Sequence, residues 1–175
     1  MSDISKKYVK ALVSLVSVDE LSEISATIKE IVPAFKDEKL KMVLFSNDIT
    51  SDKKVEFLSS LLSKSDEKVV NLFKLLAKNG RLELIPAISS ELEYQVSKLT
   101  NSHKGIVLSD KELSNEKISD IAKKLSSKFD TNIELESVKS DYNGIKVEVD
   151  TLGVEVAFSA NRLKEQLKNH ILKSI

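Results

Sequence analysis

Cysteine is absent from the 175 residues. That removes disulfides, thiolate nucleophiles and cysteine-ligated zinc sites, and it suits a reducing compartment. Histidine occurs only as His103 and His170. Neither has the spacing of a histidine metal motif, and both are expected at the surface. The four glycines stand singly at positions 80, 105, 144 and 153, so no glycine-rich loop is available to cradle a phosphate, and each reads as local punctuation. An excess of one charge is also missing: 27 basic residues face 27 acidic ones. Residues 1–103 carry 15 of each sign and the remainder 12 of each. A nucleic-acid binder would need a basic excess to displace counterions from phosphates, so no nucleic-acid partner is expected. No apolar run approaches the roughly 18 residues needed to cross a bilayer, so no direct membrane insertion is expected. The first eight residues, Met-Ser-Asp-Ile-Ser-Lys-Lys-Tyr, lack the apolar core of a secretory leader.

What remains is ordinary globular material, 41% hydrophobic and 31% charged. Residues 3–17 place Ile4, Tyr8, Ala11, Leu12, Leu15 and Val16 at helical spacing. Asp19 and Glu20 open a second helix that Pro33 bends or ends, because an interior proline deletes a hydrogen bond and clashes with the preceding turn. A short helix is predicted over 37–45. Another runs from a cap at Thr50 or Ser51 to about residue 64. Asp66 and Glu67 open a fifth helix, with favourable negative charge at its start. There Val69, Val70, Leu72, Phe73, Leu75 and Leu76 leave little polar surface. Asn79-Gly80 stops it, since glycine accepts the left-handed conformation that closes a helix. Pro86 then suits the first turn of a long sixth helix, which ends near Asn101-Ser102-His103.

Beyond that point the period changes. Gly105–Ser109 reads as a strand, and Ser114 or Asn115 caps a helix carrying Ile118, Ile121, Ala122, Leu125 and Phe129. Asn132–Glu136 alternates with period two, and Asp141-Tyr142-Asn143-Gly144 has the composition of a hairpin turn. Strands at Ile145–Val149 and Val154–Phe158 follow, and a closing helix capped by Ser159 carries Leu163, Leu167 and Ile171. The expected architecture is α plus α+β: a six-helix bundle over 1–103, then a β-α-β-β-β-α domain over 104–175.

Chemistry is sparse. Glu134 and Glu136 share one face of a strand and could form an acid/base pair, but an alternating strand puts such residues on its solvent side. Lys53-Lys54 and Lys123-Lys124 read as solvated helix faces. Ser109 and Ser159 read as strand-end and cap residues. No catalytic residue, metal site or cofactor is expected. The unusual feature is apolar surplus on the first and fifth helices. Either both simply fill the core, or each keeps a face for a partner helix.

Leu75-Leu76-Ala77-Lys78-Asn79-Gly80-Arg81-Leu82-Glu83-Leu84-Ile85-Pro86-Ala87-Ile88 resembles the L-A-x-N-G-R-L-x-x-L-P-x-I signature of the F-type ATP synthase delta subunit. The mitochondrial counterpart of that subunit is the oligomycin-sensitivity-conferring protein. Tyr8-Val9-Lys10-Ala11-Leu12 is similar to the family's Y-A-K-A-L. Gly105–Ser109 resembles its G-x-V-x-S strand, and Ser159 with Arg162-Leu163 and Leu167 its S-x-x-x-R-L-x-x-L. The four motifs come in the family's order and span the whole chain. Ser140–Gly144 departs from the family's D-P-S…I-G-G run, being shorter, without proline, and with Asn143 for the first glycine.

The resemblance implies a non-catalytic peripheral-stalk subunit, with no active site of its own, on the cytoplasmic face of a bacterial inner membrane. Its N-terminal bundle would hold the N-terminal helices of alpha subunits, and its C-terminal domain would meet the C-termini of the b (and b′) subunits. Together they would resist rotor torque during ATP synthesis. By motif position the alpha contact falls on Tyr8, Ala11 and Leu75, and the helical faces add Leu12 and Leu76. Alternative classes are a helical RNA-binding module or a generic protein-interaction adaptor, and a small enzyme. Tight, specific RNA binding with a steep salt dependence would favour the RNA-binding module. A pocket of convergent polar groups would favour the enzyme.

Overall fold

A computed structural model describes residues 3–46, 48–64 and 66–159. The chain divides into two compact units, residues 1–99 and 100–175.

In the first unit, helix α1 spans Asp3–Leu15 and α2 spans Val18–Ile31. Ser17 opens α2 with a reciprocal cap: its hydroxyl accepts from the Glu20 N–H, and the Glu20 carboxylate accepts from the Ser17 N–H. Two otherwise orphaned donors are thereby satisfied. Pro33 ends α2, and the chain continues as a 3-10 turn over Val32–Lys36. Helix α3, Glu38–Phe45, starts from Asp37, whose carboxylate accepts from the Lys39 N–H at 2.8 Å.

Helix α4 covers Ser51–Ser60 and stops short of the expected end near 64. Its last turn tightens, with Leu61 and Leu62 donating to carbonyls three residues back, and polar residues follow. Neither Thr50 nor Ser51 makes the expected side-chain cap: Thr50 has none, and the Ser51 hydroxyl instead donates to the Ala77 carbonyl. Asp66 does cap α5, Glu67–Lys78, accepting from the N–H groups of Lys68 and Val69. After a 3-10 turn at Leu82–Leu84, α6 runs Ile85–Thr100 with Pro86 in its first turn. Buried faces of all six helices meet in one core, including Val9, Ile28, Leu44, Leu58, Phe73 and Leu92.

The second unit opens with strand β1, Ser102–Ser109. Helix α7, Asn115–Phe129, leads to β2, Asn132–Lys139, then β3, Gly144–Val149, and β4, Val154–Ser159. The sheet order is β2-β1-β3-β4. β1 and β2 are parallel, as a helical crossover requires. The β1–β3 and β3–β4 pairs are antiparallel. Val107, Ile133, Val147 and Val149 form the core, with Ile121 and Leu125 of α7 packed against them. Gly105 lies in the central strand where a Cβ would sit 2.6 Å from the Glu148 carbonyl oxygen.

Two expectations change here. Asp141–Gly144 is not a hairpin turn, because β1 lies between β2 and β3. The segment crosses the end of β1, held by the Ser140 N–H on the Ser109 carbonyl at 2.9 Å. The hairpin of this unit joins β3 to β4 through Asp150–Leu152 and Gly153, whose φ is +65°. His103, expected at the surface, is buried, and its Nδ1 lies 2.7 Å from the Thr151 hydroxyl. Burial pushes its pKa below the ordinary imidazole value. His170 and the closing helix capped by Ser159 lie outside the described residues.

Candidate partner-binding groove

Helix α1 has two apolar stripes. Val9 is buried, and Leu12, Val13 and Val16 pack on the core. Beside that face Ile4, Tyr8, Ala11 and Leu15 recur every three to four residues, which aligns them in a second stripe. Leu15 is 77% exposed, Ile4 and Ala11 are exposed, and Tyr8 is half-buried. Helix α5 repeats the arrangement. Val69, Leu72, Phe73 and Leu76 turn inward, while Leu75 is 49% exposed on the adjoining flank.

Polar contacts tie α1 and α2 to the two ends of α5. At one end the Tyr8 hydroxyl accepts from Asn79 Nδ2 at 3.2 Å and Arg81 Nη1 at 3.3 Å. At the other, Lys68 in the first turn of α5 donates to Glu20 in the first turn of α2 at 2.7 Å. That hydrogen bond from Lys68, then the one from the Ser17 N–H, holds the Glu20 carboxyl below its usual pKa. The exposed apolar residues Ile4, Ala11 and Leu15 of α1 and Leu75 of α5 make up the candidate apolar strip.

The Asn79-Gly80-Arg81 turn closes α5 and meets the Tyr8 hydroxyl. Arg81 N–H donates to the Leu76 carbonyl at 2.8 Å and Gly80 N–H to Ala77, with Gly80 at φ +63°. This paired pattern closes a helix through a left-handed residue and satisfies its last carbonyls. Asn79 Nδ2 adds a bond to the Leu75 carbonyl at 2.9 Å.

Of the residues expected at a partner contact, Ala11 and Leu75 are exposed, while Tyr8 and Leu12 are half-buried and pack on the core. Leu76 does not belong there: it is fully buried, because its direction coincides with the centre of the inward face of α5. From the sequence, Asn79 and Arg81 are turn residues only. Their approach to Tyr8, across more than 70 positions, could have been anticipated only by pairing α1 with α5 in advance. Among the described residues no group of three or more His, Cys, Asp or Glu side chains is placed to hold a metal. No described helix is long and apolar enough to cross a membrane.

The described residues form a six-helix bundle followed by a small α+β unit. Comparison with known proteins gives the family. The model of the ATP synthase delta (OSCP) subunit family matches residues 4–167. The ATP synthase delta subunits of Campylobacter concisus and Campylobacter fetus are each 44% identical over 98% of both chains. That of Aliarcobacter butzleri is 39% identical over the same share. A chain in the cryo-EM structure of the Toxoplasma gondii mitochondrial ATP synthase hexamer shares the fold, with a TM-score of 0.67 over 98% of each chain at 16% identity. The chain belongs to the ATP synthase delta (OSCP) subunit family, whose members are non-catalytic, stator-class components of the enzyme.

Proposed function

We propose that this subunit links the catalytic head of a proton-translocating F-type ATP synthase to its peripheral stalk, on the cytoplasmic face of a bacterial inner membrane. The α1–α5 strip takes an amphipathic N-terminal helix of an alpha subunit, and the C-terminal unit meets the C-termini of the b subunits. The work is mechanical: the joint resists rotor torque so that alpha and beta subunits do not turn with the shaft. Such a joint needs large helical contacts and no reacting groups.

The observation that carries the reading is the exposed stripe Ile4, Ala11 and Leu15 on α1, together with exposed Leu75 on α5. Apolar side chains at helical spacing on two neighbouring helices suit the anchors of a third helix. The test is titration of the full chain with a peptide of the alpha N-terminus from the same organism. Ala11→Asp and Tyr8→Asp should each abolish binding while the far-ultraviolet circular dichroism stays unchanged. Binding by both folded variants at the original affinity would remove the strip from the interface.

A further inference from the structure

The polar end of the strip carries an unused set of donors. A tyrosine oxygen offers two lone-pair sites and one proton. Asn79 and Arg81 occupy the acceptor side of Tyr8, so its O–H is left to donate. Asn79 spends its amide on Tyr8 and the Leu75 carbonyl. Arg81 is half-buried, commits one nitrogen to Tyr8, and has no carboxylate partner among the described residues. A guanidinium carries five N–H donors in a planar fork, so most of them remain available beside the Tyr8 proton.

The surroundings lean the same way. Residues 3–15 hold three lysines against one aspartate, and residues 74–83 hold Lys74, Lys78 and Arg81 against Glu83, in a chain of zero net charge. By helical position Lys7 borders the α1 stripe outward and Lys78 borders the α5 side.

We infer that Tyr8 and Arg81 form a carboxylate-receiving site at the end of the strip, and that the helix docked there presents an aspartate or glutamate beside its apolar anchors. The inference rests on the proposed alpha-helix contact and adds the polar residue that fixes its register. Apolar stripes alone allow a helix to slide by a turn, whereas one carboxylate on an arginine fork and a phenol allows a single seating. Asn79 acts as a positioning residue, since it touches the partner only through Tyr8.

The experiment is a mutant cycle on the full chain, read by calorimetric titration with the alpha N-terminal peptide. Peptides with each acidic residue neutralised in turn are titrated against the unaltered chain, Arg81→Gln, Arg81→Lys and Tyr8→Phe. Arg81→Gln should weaken binding about tenfold or more, in line with a charge-assisted hydrogen bond, and should flatten the salt dependence. One peptide substitution should cause a matching loss with the unaltered chain and no added loss with Arg81→Gln. Arg81→Lys, which keeps the charge without the fork, should fall between them. Thermal unfolding monitors folding, and if Arg81→Gln does not fold, the peptide series against the unaltered chain and Arg81→Lys decides. Equal affinities across the series, or losses that are identical in every protein background, would overturn the site while leaving the strip. Failure of the unaltered chain to bind the unaltered peptide would remove the strip and this site together.

Discussion

Leu75 and Leu76 are adjacent leucines with opposite tasks, and truncating each separates folding from docking. Leu76 has no exposed surface. Leu76→Ala removes three buried carbons and leaves a cavity in the helical core, which costs about 2–5 kcal/mol. For a unit of about this size each kcal/mol moves Tm by about 4–8 °C, so the helical transition should fall by about 8–40 °C. Leu75 is 49% exposed. It buries only about half of a leucine's area within the chain, so Leu75→Ala should cost about 1 kcal/mol of stability. The other half is what a docked helix would cover. Its loss should weaken binding of the alpha peptide by about five- to tenfold. Circular dichroism melts and peptide titration read the two effects independently. Equal Tm shifts for the two variants, or unchanged peptide affinity for a folded Leu75→Ala, would refute the division of α5 into an inward face and an outward flank.

Two glycines should respond to alanine for different reasons. Gly105→Ala forces a methyl against the Glu148 carbonyl and the Leu135 side chain, at 2.6 and 2.9 Å, and should destabilise the second unit by about 1–3 kcal/mol. Gly80→Ala meets no atom within 4 Å, so only its φ of +63° opposes the change, at about 1 kcal/mol. Denaturant titration of both variants checks the contrast, and an equal or larger loss at Gly80 would contradict it. His103 supplies a pH signature. Burial lowers its folded pKa, so the folded state binds fewer protons than the unfolded one. Its stabilising contribution is fully present above the unfolded value of about 6.5 and declines as pH falls from there to the folded pKa. His103→Gln should flatten the fall in Tm between pH 7.5 and 5.5, and an unchanged slope would show that another group titrates there.

Local features of this chain were legible because they depend on neighbours in sequence. Gly80 ends α5 as an Asn-Gly pair implies, Pro33 ends α2, and Asp66 caps α5. Inward faces follow the 3.6-residue period. The same period places Leu76 among Val69, Leu72 and Phe73 and swings Leu75 to the side, so the distinction between them was available to a stricter count. Features that depend on distant partners were not legible. Whether β2 pairs with β3 depends on β1 inserting between them, and turn composition at Asp141–Gly144 carries no information on that. His103 is buried because Thr151, 48 positions later, returns to meet it. Tyr8 read as an apolar contact until α5 brought Asn79 and Arg81 to its hydroxyl.

The most direct test of the docking account is chemical-shift mapping of the isotopically labelled full chain as the alpha N-terminal peptide is added. The account predicts that the largest changes fall on Ile4, Tyr8, Ala11, Leu15, Leu75 and Arg81. Met42 and Phe45, exposed apolar residues of α3, should stay unchanged, as should strands β1 to β4. Saturable binding with its shifts centred on α3 or on the sheet, and none on α1 and α5, would contradict it.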